Sequence, residues 1–197
     1  MKTELSAVDL HFLEKELQVL QNGKIEKIYQ WDKDNLIFKL FTKEGKKTLR
    51  INLPGLIFFT NKAYTTPITP PGFATFLRKY LINVPIDKIY QKEFERILVF
   101  EFKSFKFGEL NLIIELIKPG NIILCRSEEQ KLVTINSLNR KRFKDRVIQG
   151  RYEYTFPQAQ PNIKELEKKE ILSILKNSDK ELVKAIAIDL GLGGVYA

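Results

Sequence analysis

The sequence predicts an α+β fold in which a helix-plus-strands unit occurs twice and the two copies form a β-sandwich. Three observations carry this. The tetrapeptide Lys27-Ile28-Tyr29-Gln30 recurs as Lys88-Ile89-Tyr90-Gln91, 61 positions on, and Ile25 and Ile86 precede the two copies by the same spacing. Each copy follows an amphipathic stretch and leads into an apolar run, Leu36–Phe41 in the first and Ile97–Phe102 in the second. Further on, Gly55-Leu56-Ile57-Phe58-Phe59 is echoed by Gly120-Asn121-Ile122-Ile123-Leu124. Two copies are too few for a solenoid, whose repeats need several neighbours to bury a core. Two copies facing each other fit a pseudo-twofold sandwich or barrel.

The elements follow in order. Ser6 with Asp9 three residues on reads as a capping box, and Leu10, Leu13, Leu17 and Leu20 then fall on one helical stripe that Gly23 ends as a C′ residue. The first KIYQ opens a strand, Asp32–Asn35 is a turn, and Phe38–Thr42 and Thr48–Leu53 flank a hairpin turn at Lys43-Glu44-Gly45-Lys46. Leu56–Thr60 is a short buried strand. Thr65–Gly72 holds three prolines and reads as a linker, with Pro70 or Pro71 in the first turn of a helix. Phe73, Phe76, Leu77, Tyr80 and Leu81 give that helix one apolar face. Strands are predicted near 86–92, 95–103, 109–118, 121–126 and 130–136, with a turn at 119–121. Residues 155–162 form a second linker. Helices are predicted over 162–177 and 179–190, the latter with a capping box at Ser178 and Glu181. The expected domains are a sandwich with flanking helices over 1–157 and a helical element over 158–197 that starts without finishing.

Composition narrows the function classes. The chain has 197 residues, 44% of them hydrophobic and 11% aromatic, enough for a substantial core and unlike a disordered or fibrous chain. No apolar run approaches the ~20 residues that span a bilayer, and the N-terminal stretch carries acids rather than the apolar core of a signal peptide. One cysteine, Cys125, excludes an internal disulfide, and a single histidine, His11, makes a Cys/His zinc site untenable. A cytoplasmic protein with no metal, no cofactor, no membrane and no small-molecule substrate is expected. The net charge of +9 favours a polyanionic partner. Gly191, Gly193 and Gly194 lack the following Lys-Ser/Thr of a phosphate loop and fit a helix cap with a tight turn. With one histidine no Ser/His/Asp constellation can be assembled, so His11 and Cys125 read as packing or surface residues.

Six segments, "ELQVLQNGKIEKIYQ", "PPGFATFLRKYL", "FERILVFEF", "ELIKPGNIIL", "RVIQGRYEYTFP" and "LGLGGVYA", stand in the order found in the N-terminal domain of NFACT proteins, the fibronectin-binding protein A-like family that includes RqcH and NEMF. The chain resembles that domain over nearly its whole length. The resemblance implies a sandwich and helix-two-turn-helix elements like those of formamidopyrimidine-type DNA glycosylases. It also implies work on the ribosome: binding large subunits obstructed by a nascent chain, handling tRNA (alanyl above all) and peptidyl-tRNA, and supporting untemplated C-terminal alanine tailing. The family's coiled coil and NFACT-R domain have no counterpart here, so the chain reads as an N-terminal piece or a naturally short relative. A glycosylase would need an N-terminal proline amine beside Glu, whereas this chain starts Met1-Lys2-Thr3-Glu4, and a surface adhesin would need an export signal. The expectation is a binding protein, not an enzyme.

The candidate RNA contacts divide into three groups. Glu95-Arg96 stands where the resemblance implies an Asp-Arg pair tied to tRNA binding and tailing; the guanidinium offers planar bidentate donors to phosphate, and Glu keeps the partner charge. By residue chemistry alone the pair is a salt bridge at a strand edge. Arg78 and Lys79 flank core-facing Leu77 and are expected to point outward, either to phosphates or to complement the helix dipole. Arg140, Lys141, Arg142, Lys144, Arg146 and Arg151 form a cluster interrupted by Asp145, either a salt-sensitive RNA contact or a solvated loop, with Phe143 and Tyr152 available to stack on bases. The two Tyr-Gln pairs are expected to build the sandwich, with Gln91 close to Arg96.

Overall fold

The computed structural model describes residues 2–62, 70–143, 145–159, 161–194 and 196. The first copy begins with helix α1 (Ala7–Leu17), whose Ser6 cap and Asp9 form the expected reciprocal capping box. A 3₁₀ turn at Gln18–Leu20 carries the apolar stripe on, so that Leu10, Leu17 and Leu20 are fully buried. Gly23 does not end the helix. The left-handed residue is Asn22, at φ 63°, and Gly23 has negative φ but no room: a Cβ there would lie 2.8 Å from the Leu20 carbonyl oxygen and 2.9 Å from that of Phe41.

Strands β1 (Lys24–Gln30), β2 (Asn35–Thr42), β3 (Gly45–Asn52) and β4 (Leu56–Phe59) make an antiparallel meander. The turn before β2 forms because the Asp32 carboxylate accepts from the backbone N–H groups of Asp34 and Asn35. Helix α2 (Gly72–Leu81) follows, with Pro71 at its cap and Ala74, Leu77 and Leu81 buried. Most of the linker expected at Thr65–Gly72 lies outside the described residues. The second copy is a five-stranded meander of β5 (Ile86–Gln91), β6 (Ile97–Ser104), β7 (Gly108–Glu115), β8 (Asn121–Glu128) and β9 (Lys131–Ser137).

The duplication is visible in the ladders. Ile28 pairs with Phe38 in the first copy and Ile89 with Phe100 in the second. Both KIYQ strands carry a bulge at the same place, between Ile25 and Lys27 and between Ile86 and Lys88. Both meanders turn at a Pro-Gly, Pro54-Gly55 and Pro119-Gly120, each proline following a cis bond. The two turns touch, since a Cβ on Gly120 would fall 2.8 Å from Pro54 Cα. Each helix packs on the KIYQ strand of the other copy, α1 on β5 and α2 on β1. The Gln18 amide donates to the Ile89 carbonyl, and the Arg78 guanidinium donates to the equivalent Ile28 carbonyl. Asn22 and Asn83, both left-handed, donate to the carbonyls of Ile86 and Ile25. The inner faces of both sheets and both helices share one core around Phe38, Phe100 and Phe102. Full burial of each such ring contributes about 1.5–3 kcal/mol.

The outer face of the second sheet has a smaller core of its own. Ile97, Val99, Ile113, Ile123 and Cys125 are covered by Ile148 and Tyr154. The covering segment contains a short hairpin, β10 (Lys141–Arg142) with β11 (Val147–Ile148), and then runs beside β9. Helices α3 (Lys168–Asn177) and α4 (Leu182–Ile188) are the last regular elements among the described residues. Both are shorter than predicted. The expected Ser178–Glu181 box does not form: the Ser178 hydroxyl donates to Asp189, and the reciprocal box lies at Glu167 and Glu170 of α3. Among the described residues no helix is long and apolar enough to cross a membrane.

Candidate nucleic-acid interface

Arg96 lies at the end of the β5–β6 loop, held from both sides. The buried Gln91 amide donates to the Ala7 carbonyl at 3.0 Å and the Glu95 carbonyl at 2.9 Å, while the Leu116 N–H donates to the Arg96 carbonyl. The expected proximity of Gln91 and Arg96 is therefore a backbone brace: Gln91 ties the loop to the first turn of α1.

The Arg96 guanidinium is three-quarters buried. Its nearest acid is Glu4, with Nη2 3.5 Å from Oε2, and Lys118 reaches the same carboxylate oxygen. That contact is an ion pair too long for a strong hydrogen bond. Nε and Nη2 are shielded from solvent and have no hydrogen-bond partner among the described residues. Leaving buried charged donors unmet costs about 1–3 kcal/mol each, so they are poised for an acceptor. Arg96 lines a cleft of about 470 Å³. One wall is the start of α1 with Phe94 and Ile117; the other is Ile188 and the backbone of Gly191, Gly193 and Gly194. Those glycines, expected to cap a helix, thus also form the far wall of the Arg96 cleft.

Asp9, read from the sequence only as a capping residue, ties the two walls together. Its carboxylate accepts from Ser6, from Lys2 at 2.6 Å and from the Tyr196 hydroxyl at 2.6 Å. Partial burial pushes its pKa up, but the hydrogen bonds from Lys2, Tyr196 and Ser6 outweigh this and hold it at about 2. Nothing local in the sequence pairs position 9 with position 196.

The remaining expected contacts separate. Lys79 is exposed, its ammonium 5.4 Å from the Tyr80 ring centre. Arg78 does not point outward; it folds over the Tyr29 ring and clamps the Ile28 carbonyl. Arg140, Lys141, Arg142 and Arg151 are exposed, and Phe143 and Tyr152 are partly so. Lys144 lies outside the described residues. Arg146 corrects the sequence reading: it turns inward, makes a bidentate pair with Glu115 at 2.5 and 3.2 Å, and is only 8% exposed. The Tyr154 hydroxyl donates to the same carboxylate at 2.7 Å. Burial, then the Glu115 charge, pushes that phenol far above its ordinary pKa, so it remains a donor. Arg146 therefore anchors the basic hairpin instead of lining it. The reason is Glu115, which ends β7 on the outer face and needs a cation once covered.

The hairpin and the cleft share one end of the sandwich. Lys141 and Phe143 line a small pocket together with Ile117 and Lys118 of the β7–β8 turn, and Lys118 pairs with the Glu4 that also pairs with Arg96. Cys125 is buried, its thiol pushed up to about 12 by burial. Among the described residues no three His, Cys, Asp or Glu side chains come together to hold a metal.

Known proteins resemble this chain along its whole length. The family described as NFACT N-terminal and middle domains matches residues 6–197. The archaeal Rqc2 homolog aRqcH of Methanocaldococcus jannaschii is 34% identical, covering 100% of this chain and 31% of the relative. The Rqc2 homolog RqcH of Bacillus subtilis is 31% identical over 85% of this chain, again 31% of the relative. This chain thus spans about a third of the length of these curated relatives. Two solved structures share the architecture. The N-terminal part of a fibronectin/fibrinogen-binding protein from Streptococcus suis aligns with TM-score 0.81 at 27% identity, covering 96% of this chain and 75% of that one. The N-terminal domain of fibronectin-binding protein PavA from Streptococcus pneumoniae aligns with TM-score 0.77 at 26% identity, covering 92% and 72%. With a family match over nearly every residue and an archaeal relative aligned over the whole of this chain, the chain belongs to the family described as NFACT N-terminal and middle domains.

Proposed function

We propose that this chain is the RNA-binding part of a ribosome quality control factor, and that Arg96 in its cleft takes a phosphate or ribose oxygen of tRNA. The observation that carries this is Arg96 lining the cleft with two buried donors that lack a hydrogen bond among the described residues, braced by Gln91 and offset by a long contact to Glu4. A phosphate oxygen satisfies both donors in one plane. Arg140, Lys141 and Arg142, exposed at the same end, extend the positive surface along a backbone path. The relatives named as Rqc2 and RqcH homologs, with subunit 2 of the ribosome quality control complex of Saccharomyces cerevisiae, support a ribosome quality control setting. Within it our reading is binding of obstructed large subunits, handling of tRNA and peptidyl-tRNA, and support of C-terminal alanine tailing in the cytoplasm. The domain works by binding and positioning, without catalytic chemistry of its own.

The test is Arg96→Ala in the complete protein. Losing one charge-assisted contact should weaken tRNA binding by about tenfold, while the melting temperature should hold, because the guanidinium removed is poorly paired and its loss strands no hydrogen-bond partner. Arg96→Lys should rescue poorly, since an ammonium lacks the planar fork. Unchanged tRNA affinity in Arg96→Ala sinks the assignment, and equal losses of stability and affinity make Arg96 a brace. The solved relatives described as fibronectin-binding favour a second reading, tested by fibronectin capture on the same preparations.

A further inference from the structure

The two sheets present equivalent outer faces, and these carry opposite chemistry. In the first sheet the exposed Phe41 pairs across the ladders with Lys24 on one side and Lys46 on the other. The neighbouring row is Lys27, Lys39 and Thr48. Phe41 is 55% exposed and all four lysines are exposed. None of the four makes an ion pair among the described residues; Lys39 instead sits 5.6 Å from the Tyr29 ring centre. The carboxylates of the same strands and hairpin are Glu26, in the bulge, and Glu44, which Lys47 holds.

The same register positions in the second sheet read differently. Lys103 replaces Phe41 and pairs with Glu109, and Glu101 replaces Lys39 beside Lys88. Asp87 holds Lys103 at 3.1 Å. Lys39 has thus become Glu101 and Lys46 has become Glu109. The second patch neutralises itself; the first is an aromatic ring surrounded by unpaired ammonium groups.

We infer that the Phe41 patch is a second RNA-binding surface that takes an unpaired stretch, one base stacked on Phe41 and its flanking phosphates on Lys24, Lys39 and Lys46. Charge complementarity selects a polyanion, and the exposed ring selects one with a free aromatic face. A duplex keeps its bases stacked on each other, and an acidic peptide offers carboxylates without a ring. Stacking on an exposed aromatic side chain tolerates any base, and each phosphate neutralised on a single strand adds about 0.7 to the log–log salt slope. The surface is separate from the Arg96 cleft and stands without it.

The experiment measures anisotropy of a labelled oligouridylate against the protein, with an RNA duplex and polyglutamate as competitors. Phe41→Ala should weaken oligouridylate binding by about tenfold. Lys39→Glu with Lys46→Glu, copying the second sheet, should lower the salt slope by about 1.4. Both sites are exposed, so melting temperature should hold; Lys39→Gln with Lys46→Gln is the milder pair. Polyglutamate and duplex should compete poorly. Arg96→Ala should leave oligouridylate binding intact, so this surface and the Arg96 site fail independently. Unchanged binding in Phe41→Ala, or polyglutamate competing as well as RNA, overturns the proposal.

Discussion

The two copies of the unit share a backbone plan and differ in what covers their outer faces. In the second copy the row Tyr90, Val99, Ile113 and Ile123 lies under Ile148, Tyr154 and Phe156. In the first, the equivalent row is Tyr29, Ile37, Arg50 and Phe58, where the Arg50 guanidinium lies 5.1 Å from the Trp31 ring centre and 5.8 Å from that of Phe58. The sequence reflects the difference. β7 and β8 are near-continuous apolar runs, because both of their faces are buried, whereas β3 alternates. A duplicated unit can thus spend one copy's outer face on stability and leave the other's polar. What decides is the chain after β9, which reaches only one sheet.

The largest expected effect breaks the covering segment. Glu115→Ala should strand Arg146 in a buried site and cost about 3–5 kcal/mol in denaturant unfolding. Asn52, its register counterpart, lies on the uncovered face, holds Asn35 through one neutral hydrogen bond and should cost about 1 kcal/mol. Equal costs at the two positions would mean that burial under the segment adds nothing. A replacement of Glu115, Arg146 and Tyr154 together by apolar residues of similar volume should recover much of the loss.

A smaller effect sharpens the helix exchange. Arg78→Ala removes two charge-assisted bonds to Ile28 and should cost about 1.5–3 kcal/mol; Gln18→Ala removes the neutral counterpart at Ile89 and should cost about 1 kcal/mol. Should Arg78→Ala melt like the parent yet lose RNA, Arg78 belongs to the interface and not to the brace.

The smallest effect concerns pH. Asp9 is held at about 2, below its ordinary 3.8. A depressed carboxylate pKa adds stability that is complete above the unfolded value and lost as pH falls from about 4 toward 2. After discounting for solvent screening this is on the order of 1 kcal/mol. Asp9→Asn should lower stability by that amount at pH 7 and match the parent near pH 2. The second copy offers the contrast: Ala74 stands at the corresponding third position of α2 and has nothing to titrate, and the next residue, Thr75, bonds the Pro71 carbonyl, so Thr75→Ala should show no such pH window.

The repeated KIYQ, the glycine echo and the helix stripes were legible because they are local. Each is set by periodicity and turn chemistry within a few residues, and the paired Asn22 and Asn83, five positions before each KIYQ, belong to the same class of signal. The basic cluster was legible as composition but not residue by residue. Arg140 and Arg146 look alike in a charge run; only Glu115, 31 positions away and buried under the segment, separates a solvent-facing guanidinium from an anchor. Arg78 misled for a related reason, since a helical wheel cannot show which carbonyl of another element lies within reach of a long side chain. The sequence by itself determined the duplication, the α+β class and the family. Tertiary structure alone decided which helix packs on which copy, which cations are occupied, and that Asp9 meets Tyr196, because those outcomes depend on contacts between residues far apart in the chain, where neither propensity nor spacing carries information.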